Sequence, residues 1–185
     1  MIADKDRSWW FGASDTSMIM GNWETATFKK WWLEKLALRT SGLSTKAMKV
    51  GNAFEHKILE TIPGVTMDRQ ILIPELHLRV NYDGDDGSAI YEVKTHKSEK
   101  FRFTKGYRQQ VQVEMFAYVK RLYILAYRLT EEDYVNYFRP IDSDRLQKIP
   151  VEYDEAFIEQ YLPRNKYLGW CMEEGRMPDA KYFTK

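Results

Sequence analysis

The sequence predicts an α/β (α+β) fold in the order helix, three strands, helix, strand (αβββαβ), and three observations carry that prediction. Residues 76–82 and 89–95 alternate apolar and polar side chains with the period of two that a strand imposes, around a Gly/Asp-rich turn at 84–88. On either side of this pair, apolar residues recur at helical spacing: Phe28, Trp31, Trp32 and Leu36 upstream, Met115, Phe116 and Val119 downstream. Finally, Leu122, Ile124 and Ala126 alternate with Tyr123, Leu125 and Tyr127, which leaves no polar face and marks a strand covered on both sides.

With 185 residues and 44% hydrophobic content, residues 1–185 have room for one domain with its own core. The formal charge is +1, so overall charge points to no polyanionic partner. Cys171 is the single cysteine, which excludes an internal disulfide and a four-cysteine iron–sulfur cluster and fits a reducing, cytoplasmic setting. No signal-peptide pattern or apolar run of bilayer length is present, so no membrane partner is expected.

Taken in order, Ser14 and Asp15 precede a short apolar run at 16–20 and mark a helix start, where free backbone N–H groups cap the chain or bind an anion. A helix over 25–40 puts its aromatic stripe in the core and Lys29, Lys30 and Lys35 on the other side. Ser44 opens a helix to about residue 61, stopped by Pro63-Gly64, with Met48, Phe54, Ile58 and Leu59 inward and Gly51 admitting a close neighbour. By spacing alone, Glu55 and His56 on this helix read as ordinary surface groups. Strands at 68–73 and 76–82 join through Pro74-Glu75, and 89–95 is the third. Lys97, Lys100, Arg102, Lys105 and Arg108, interleaved with Phe101, Phe103 and Tyr107, suit a groove that tracks a phosphate backbone. A helix at 106–120 follows, then a hairpin of 121–129 with 134–141. Pro140 and Pro150 mark loops, and a helix over 153–174, broken at Pro163, packs Trp170 and Cys171.

The chemistry concentrates at 81–94. Glu92 and Lys94 share a strand face, and Asp83 joins them if the two strands pair through the turn. The register stays open, because a bulge at Gly84 or Gly87 would shift it. Hard carboxylate ligands suit Mg²⁺, with Mn²⁺ as a substitute, and a neighbouring lysine can offset charge developing at phosphorus, so the set points to phosphodiester hydrolysis. A calcium loop through Asn81, Asp83, Asp85 and Glu92 fails on its flanking strands and on Gly84 and Gly87, which miss the required position at 86. Asp85 and Asp86 read as turn residues, either of which replaces Asp83 if the turn winds differently. A catalytically idle binding module is the contrasting class, and the intact acidic and basic set argues against it.

Asp83 followed by Glu92-Val93-Lys94, with Tyr82 where the eponymous proline stands, resembles the PD-(D/E)XK nuclease signature. Gly12-Ala13-Ser14-Asp15 before a short helix, Gly51-Asn52-Ala53-Phe54-Glu55, and Tyr107 with Gln110-Val111-Gln112 are similar to the phage lambda exonuclease type, the YqaJ-like viral recombinases. The resemblance spans about residues 7–129 and leaves 130–185 as a C-terminal hairpin strand and helix. It implies a central mixed sheet flanked by helices and a Mg²⁺-dependent exonuclease acting on linear double-stranded DNA ends in phage or prophage recombination. A structure-dependent or nicking endonuclease is the competing reading. The resemblance assigns Asp83, Glu92 and the Val93 carbonyl to the metal, with Glu55 completing the site, and gives Lys94 and Gln110 the attacking water. Arg7 and Ser14 match a pocket for the terminal phosphate; Lys97, Lys100, Arg102, Lys105, Arg108 and Gln112 are expected to touch DNA. Its partners would be a single-strand annealing protein and further copies of the chain in a ring of three.

Overall fold

Five strands form one mixed sheet in sequential order: β1 (Thr66–Ile73), β2 (Leu78–Asp85), β3 (Ile90–His96), β4 (Leu122–Arg128) and β5 (Leu146–Val151). The structure, a computed structural model, describes residues 7–40 and 46–183. β3 and β4 run parallel and the other neighbouring pairs antiparallel. A parallel pair needs a crossover, which α4 (Lys105–Ala117) supplies.

Alternation along the strands sorts the core into two layers. Ile90, Leu122, Ile124 and Ala126 meet α4, α2 (Ala26–Lys35) and α5 (Glu155–Glu173), where Trp31 and Trp32 stack with Phe11 and Phe28 stacks on Trp32. Tyr91, Val93, Leu125 and Tyr127 meet α3 (Lys46–Leu59) through Val50, Phe54 and Ile58. Gly84 is what lets α3 lie this close, since a Cβ there would stand 2.7 Å from Leu59 Cδ2 and 2.9 Å from Val65 Cγ2. The expected close neighbour of Gly51 is Thr95, whose hydroxyl would be 3.3 Å from an added Cβ. The short α1 (Thr16–Ile19) follows a 3₁₀ turn over Ala13–Asp15. No helix among the described residues is long and apolar enough to cross a membrane.

Several expectations change. Residues 134–141 form no strand; a 3₁₀ turn over Glu131–Tyr134 leads into a loop pinned by Lys57 Nζ, which donates to the carbonyls of Tyr137 and Arg139. The partner of β4 is instead β5, Pro150 included, because at a sheet edge a residue without an N–H removes no ladder bond. α5 runs unbroken through Pro163, held by buried Ile158, Tyr161, Leu168 and Met172, which offset the lost backbone bond. Trp170 is exposed while Cys171 is buried, and Met48 also faces solvent. Lys35 sits in the core rather than on the outer side. The expected helix start at Ser44 lies outside the described residues.

Candidate active site

The site exists because β2 and β3 part. They pair only at Gly84↔Tyr91 and Asp85↔Ile90, although both strands continue beyond those residues. Further along, the same edge of β2 is taken by Phe11, whose N–H donates to His77 O (2.7 Å) and whose carbonyl accepts from Arg79 N (2.8 Å). Between these contacts Asp83 stands in the opening, where its Oδ2 accepts the Val93 N–H at 2.8 Å in place of a ladder bond. Asp85 and Asp86 do not replace it. Asp85 pairs with Arg69 (3.0 Å), and Asp86 closes the turn by accepting from Ser88 and Ala89.

Period two brings Glu92 and Lys94 to the opening together. Lys94 Nζ donates to Glu92 Oε1 at 2.5 Å, and Gln110 Nε2 on α4 donates to the same oxygen at 2.7 Å. Gln110 Nε2 gives its second hydrogen to Glu114 Oε1 at 2.8 Å, one helical turn on. Both amide hydrogens are thereby taken, and the amide oxygen remains as an acceptor. Glu55, Asp83, Glu92, Val93, Lys94 and Tyr107 line a cavity of about 350 Å³ on the α3 side. Asp83 and Glu92 also line a second, about 200 Å³, which reaches Arg7, Ser14, Lys35 and Arg79.

Charge in this cleft is unbalanced. Burial, then the charges of Glu92 and Glu55, push the Asp83 carboxyl well above the usual range, against the pull of Lys94 and the Val93 N–H. Burial followed by Glu92 does the same to Glu114 and, less strongly, to Glu55. Burial opposes the Lys94 ammonium, but Glu92, Asp83 and Glu114 outweigh it and hold the proton above the ordinary lysine range. One ammonium thus faces several hard oxygen donors, the condition a divalent cation such as Mg²⁺ satisfies. Glu55 also stands with His56 and Asp68, ligand atoms within 4.8 Å of one another, so the donor set can extend along α3 and β1.

The basic end is ordered differently. Asp15 Oδ2 accepts from Lys35 Nζ (2.6 Å) and from the Gly12 N–H (2.8 Å), while Oδ1 accepts from Trp31 Nε1 (2.9 Å). Lys35 Nζ also donates to the carbonyls of Trp10 (2.7 Å) and Arg7 (3.2 Å). Burial lowers the Lys35 pKa and Asp15 works against that. This buried pair shapes the Gly12–Asp15 turn and leaves Ser14 exposed beside Arg7 and Arg79.

Among solved structures, the chain matches the alkaline exonuclease LHK-Exo from Laribacter hongkongensis, solved with dAMP, at a TM-score of 0.67 and 19% identity over 95% of this chain and 92% of that one. It matches a phage-related exonuclease from Haemophilus somnus at a TM-score of 0.64 and 15% identity, over 90% and 96% of the two chains. The chain has the fold of these phage-type exonucleases. No family model and no curated protein matches the sequence.

On this exonuclease fold the structure gathers Asp83, Glu92, Lys94, Gln110 and Glu55 at one cleft, with Arg7 and Ser14 at its far end. Gln112 is not among them. Its Nε2 donates to Glu152 O (2.9 Å) and its Oε1 accepts from Asp154 N (2.7 Å), so it ties α4 to the chain entering α5. The basic stretch is also reorganised. Phe101 stacks on Phe103 and Tyr107, Lys97 pairs with Glu131, and Arg108 lies over Phe103, which leaves no ring standing alone in that stretch; Lys100, Arg102 and Lys105 are exposed. Sequence reasoning missed Arg79 and Glu114. Arg79 lies four residues before Asp83, so the period of two sets both on one side of β2, and that was the available signal. Glu114 lies four residues after Gln110, one helical turn on, and that spacing was the available signal.

Proposed function

We propose that this protein is a metal-dependent deoxyribonuclease that hydrolyses DNA phosphodiesters from the ends of linear duplexes. The observation that carries the reading is the convergence of Asp83, Glu92, Lys94 and Gln110 where β2 and β3 part, in a cleft whose other end holds Arg7, Ser14 and Arg79. The likeness in fold to exonucleases, one of them solved with dAMP, supports it.

In this reading Asp83, Glu92, Glu55 and the Val93 carbonyl hold Mg²⁺, which when bound offsets the excess negative charge and polarises the phosphoryl oxygen. Lys94 stays protonated, so it acts as a donor rather than a base, orienting the attacking water and countering charge that builds at phosphorus. The free carbonyl of the Gln110 amide accepts a hydrogen from the same water. The water oxygen bonds to phosphorus and releases a proton to bulk water, the ester P–O bond on the far side breaks, and the leaving oxygen takes a proton back from bulk water. Arg7, Ser14 and Arg79 hold the terminal phosphate and so set the distance from the end to the scissile bond.

The test is digestion of end-labelled linear duplex with Mg²⁺, with and without a 5′ phosphate, beside a covalently closed circle. Release of nucleotides from the linear DNA, dependent on Mg²⁺ and on the terminal phosphate, is expected. Cutting of the closed circle would instead establish an endonuclease on this fold, and no cleavage of either would remove the nuclease reading.

A further inference from the structure

Nothing in the reaction just described uses Glu114. It is nonetheless fully buried, 0% exposed, in a stretch of α4 where Val111, Val113 and Met115 supply the apolar packing. Its Oε2 has no hydrogen-bond partner, which core packing alone would avoid by placing an apolar residue there. The residue is also held at both ends. The Tyr82 hydroxyl on β2 donates to its backbone carbonyl at 3.0 Å, one of the last four carbonyls that α4 cannot satisfy itself, while Gln110 Nε2 reaches its Oε1 at 2.8 Å.

We propose that Glu114 is a positioning residue that fixes the plane of the Gln110 amide, and thereby the place of the Gln110 carbonyl oxygen that accepts from the attacking water. One acceptor, Glu92 Oε1, would leave that amide free to swing about a single hydrogen bond. Two acceptors, at 2.7 and 2.8 Å, define its plane. Glu92 is itself drawn towards Lys94, so the second acceptor must come from a part of the fold that stays put, and the Tyr82 contact anchors Glu114 there. The catalytic part of the inference rests on the nuclease reading; the coupling between Glu114 and Gln110 does not.

The test compares wild type, Glu114→Leu, Gln110→Ala and the double variant on saturating linear duplex with Mg²⁺. Glu114→Leu is expected to lower turnover about tenfold to a hundredfold, the usual effect of losing a residue that orients a catalytic group, with KM for DNA unchanged. The double variant should be no slower than Gln110→Ala, because a residue acting only through Gln110 has nothing further to remove. Glu114→Gln, which retains an acceptor, should recover most of the loss. Glu114→Met repeats the test if the leucine variant does not fold. Losses that multiply in the double variant, or a glutamine variant as slow as the leucine one, overturn the proposal. NMR of the side-chain amides reads the same coupling without catalysis: the Gln110 pair, identified by its disappearance in Gln110→Ala, should move in Glu114→Leu and return in Glu114→Gln. An unmoved pair overturns positioning whether or not the protein cuts DNA. If the pair moves while the wild-type protein leaves DNA intact, positioning stands and the nuclease reading falls.

Discussion

The two ends of the cleft handle buried charge in opposite ways. At the basic end, Lys35 finds its counter-charge inside the fold: Asp15, two backbone carbonyls and the Trp31 indole complete a closed network that shapes the turn carrying Ser14. At the acidic end the fold supplies too little. Burial and then the charge of Glu92 raise the proton affinity of Asp83, Glu55 and Glu114, Glu55 adds to the effect on Asp83, and Lys94 does not cancel it. The difference separates a charge used to build a site from charges held ready for something absent from the chain. A buried pair that is complete rigidifies, and the incomplete set is the feature on which the proposed metal site rests.

Removing the single ammonium of the acidic end is the most severe way to break this contrast. Lys94→Ala is expected to lower turnover about a thousandfold while leaving DNA affinity within about twofold, because the lost interaction is made with the transition state. Single-turnover cleavage and anisotropy with labelled duplex measure the two separately, and unchanged turnover would refute the role. A smaller effect is expected in the pH dependence of stability. Carboxyls with raised folded pKa values contribute stability that is full below their unfolded values, near pH 4, and that fades as pH rises through the folded ones. The depressed values of Asp68 and Asp133 act in the opposite sense, and only in acid. The metal-free protein should therefore lose thermal stability as pH rises above about 4, and Mg²⁺ should raise Tm more at about pH 8 than at about pH 6, since binding displaces protons. Equal gains at both pH values would remove the acidic end as the metal site. The smallest effect is expected at the basic end. Arg79→Met should reduce the preference for a 5′-phosphorylated end about tenfold through KM, with turnover on unphosphorylated DNA little changed. A variant that keeps the full preference would leave Arg7 and Ser14 as the phosphate contacts.

Much of this arrangement could be read in the sequence, and the failures share one cause. Strand alternation put Glu92 and Lys94 on one side, with Asp83 beside them only if the strands paired, and the two-sided apolar pattern of 122–127 identified β4, because alternation is a local consequence of which face is covered. What could not be read depends on partners distant in the chain. Lys35 lies on α2 beside Lys29 and Lys30 and looks like surface until Asp15, twenty residues earlier, folds against it. Gln112 sits two residues from Gln110 in the same polar run, yet the helix turns it to the strand–helix junction at Glu152 and Asp154. β5 escaped because an edge strand is held by backbone bonds to β4, so Gln147, Lys148 and Pro150 need no alternating pattern.

The two-residue contact between β2 and β3 has a consequence beyond catalysis. A sheet split along its middle offers two inner edges of unpaired backbone, the kind of edge onto which a stray extended segment adds and from which aggregates grow. Phe11 plugs one end of the slit, and the carboxyls of Asp83 and Glu92 make the remainder hostile to an incoming apolar strand. The acids proposed to hold the metal also guard the seam, so neutralising them is expected to lower solubility.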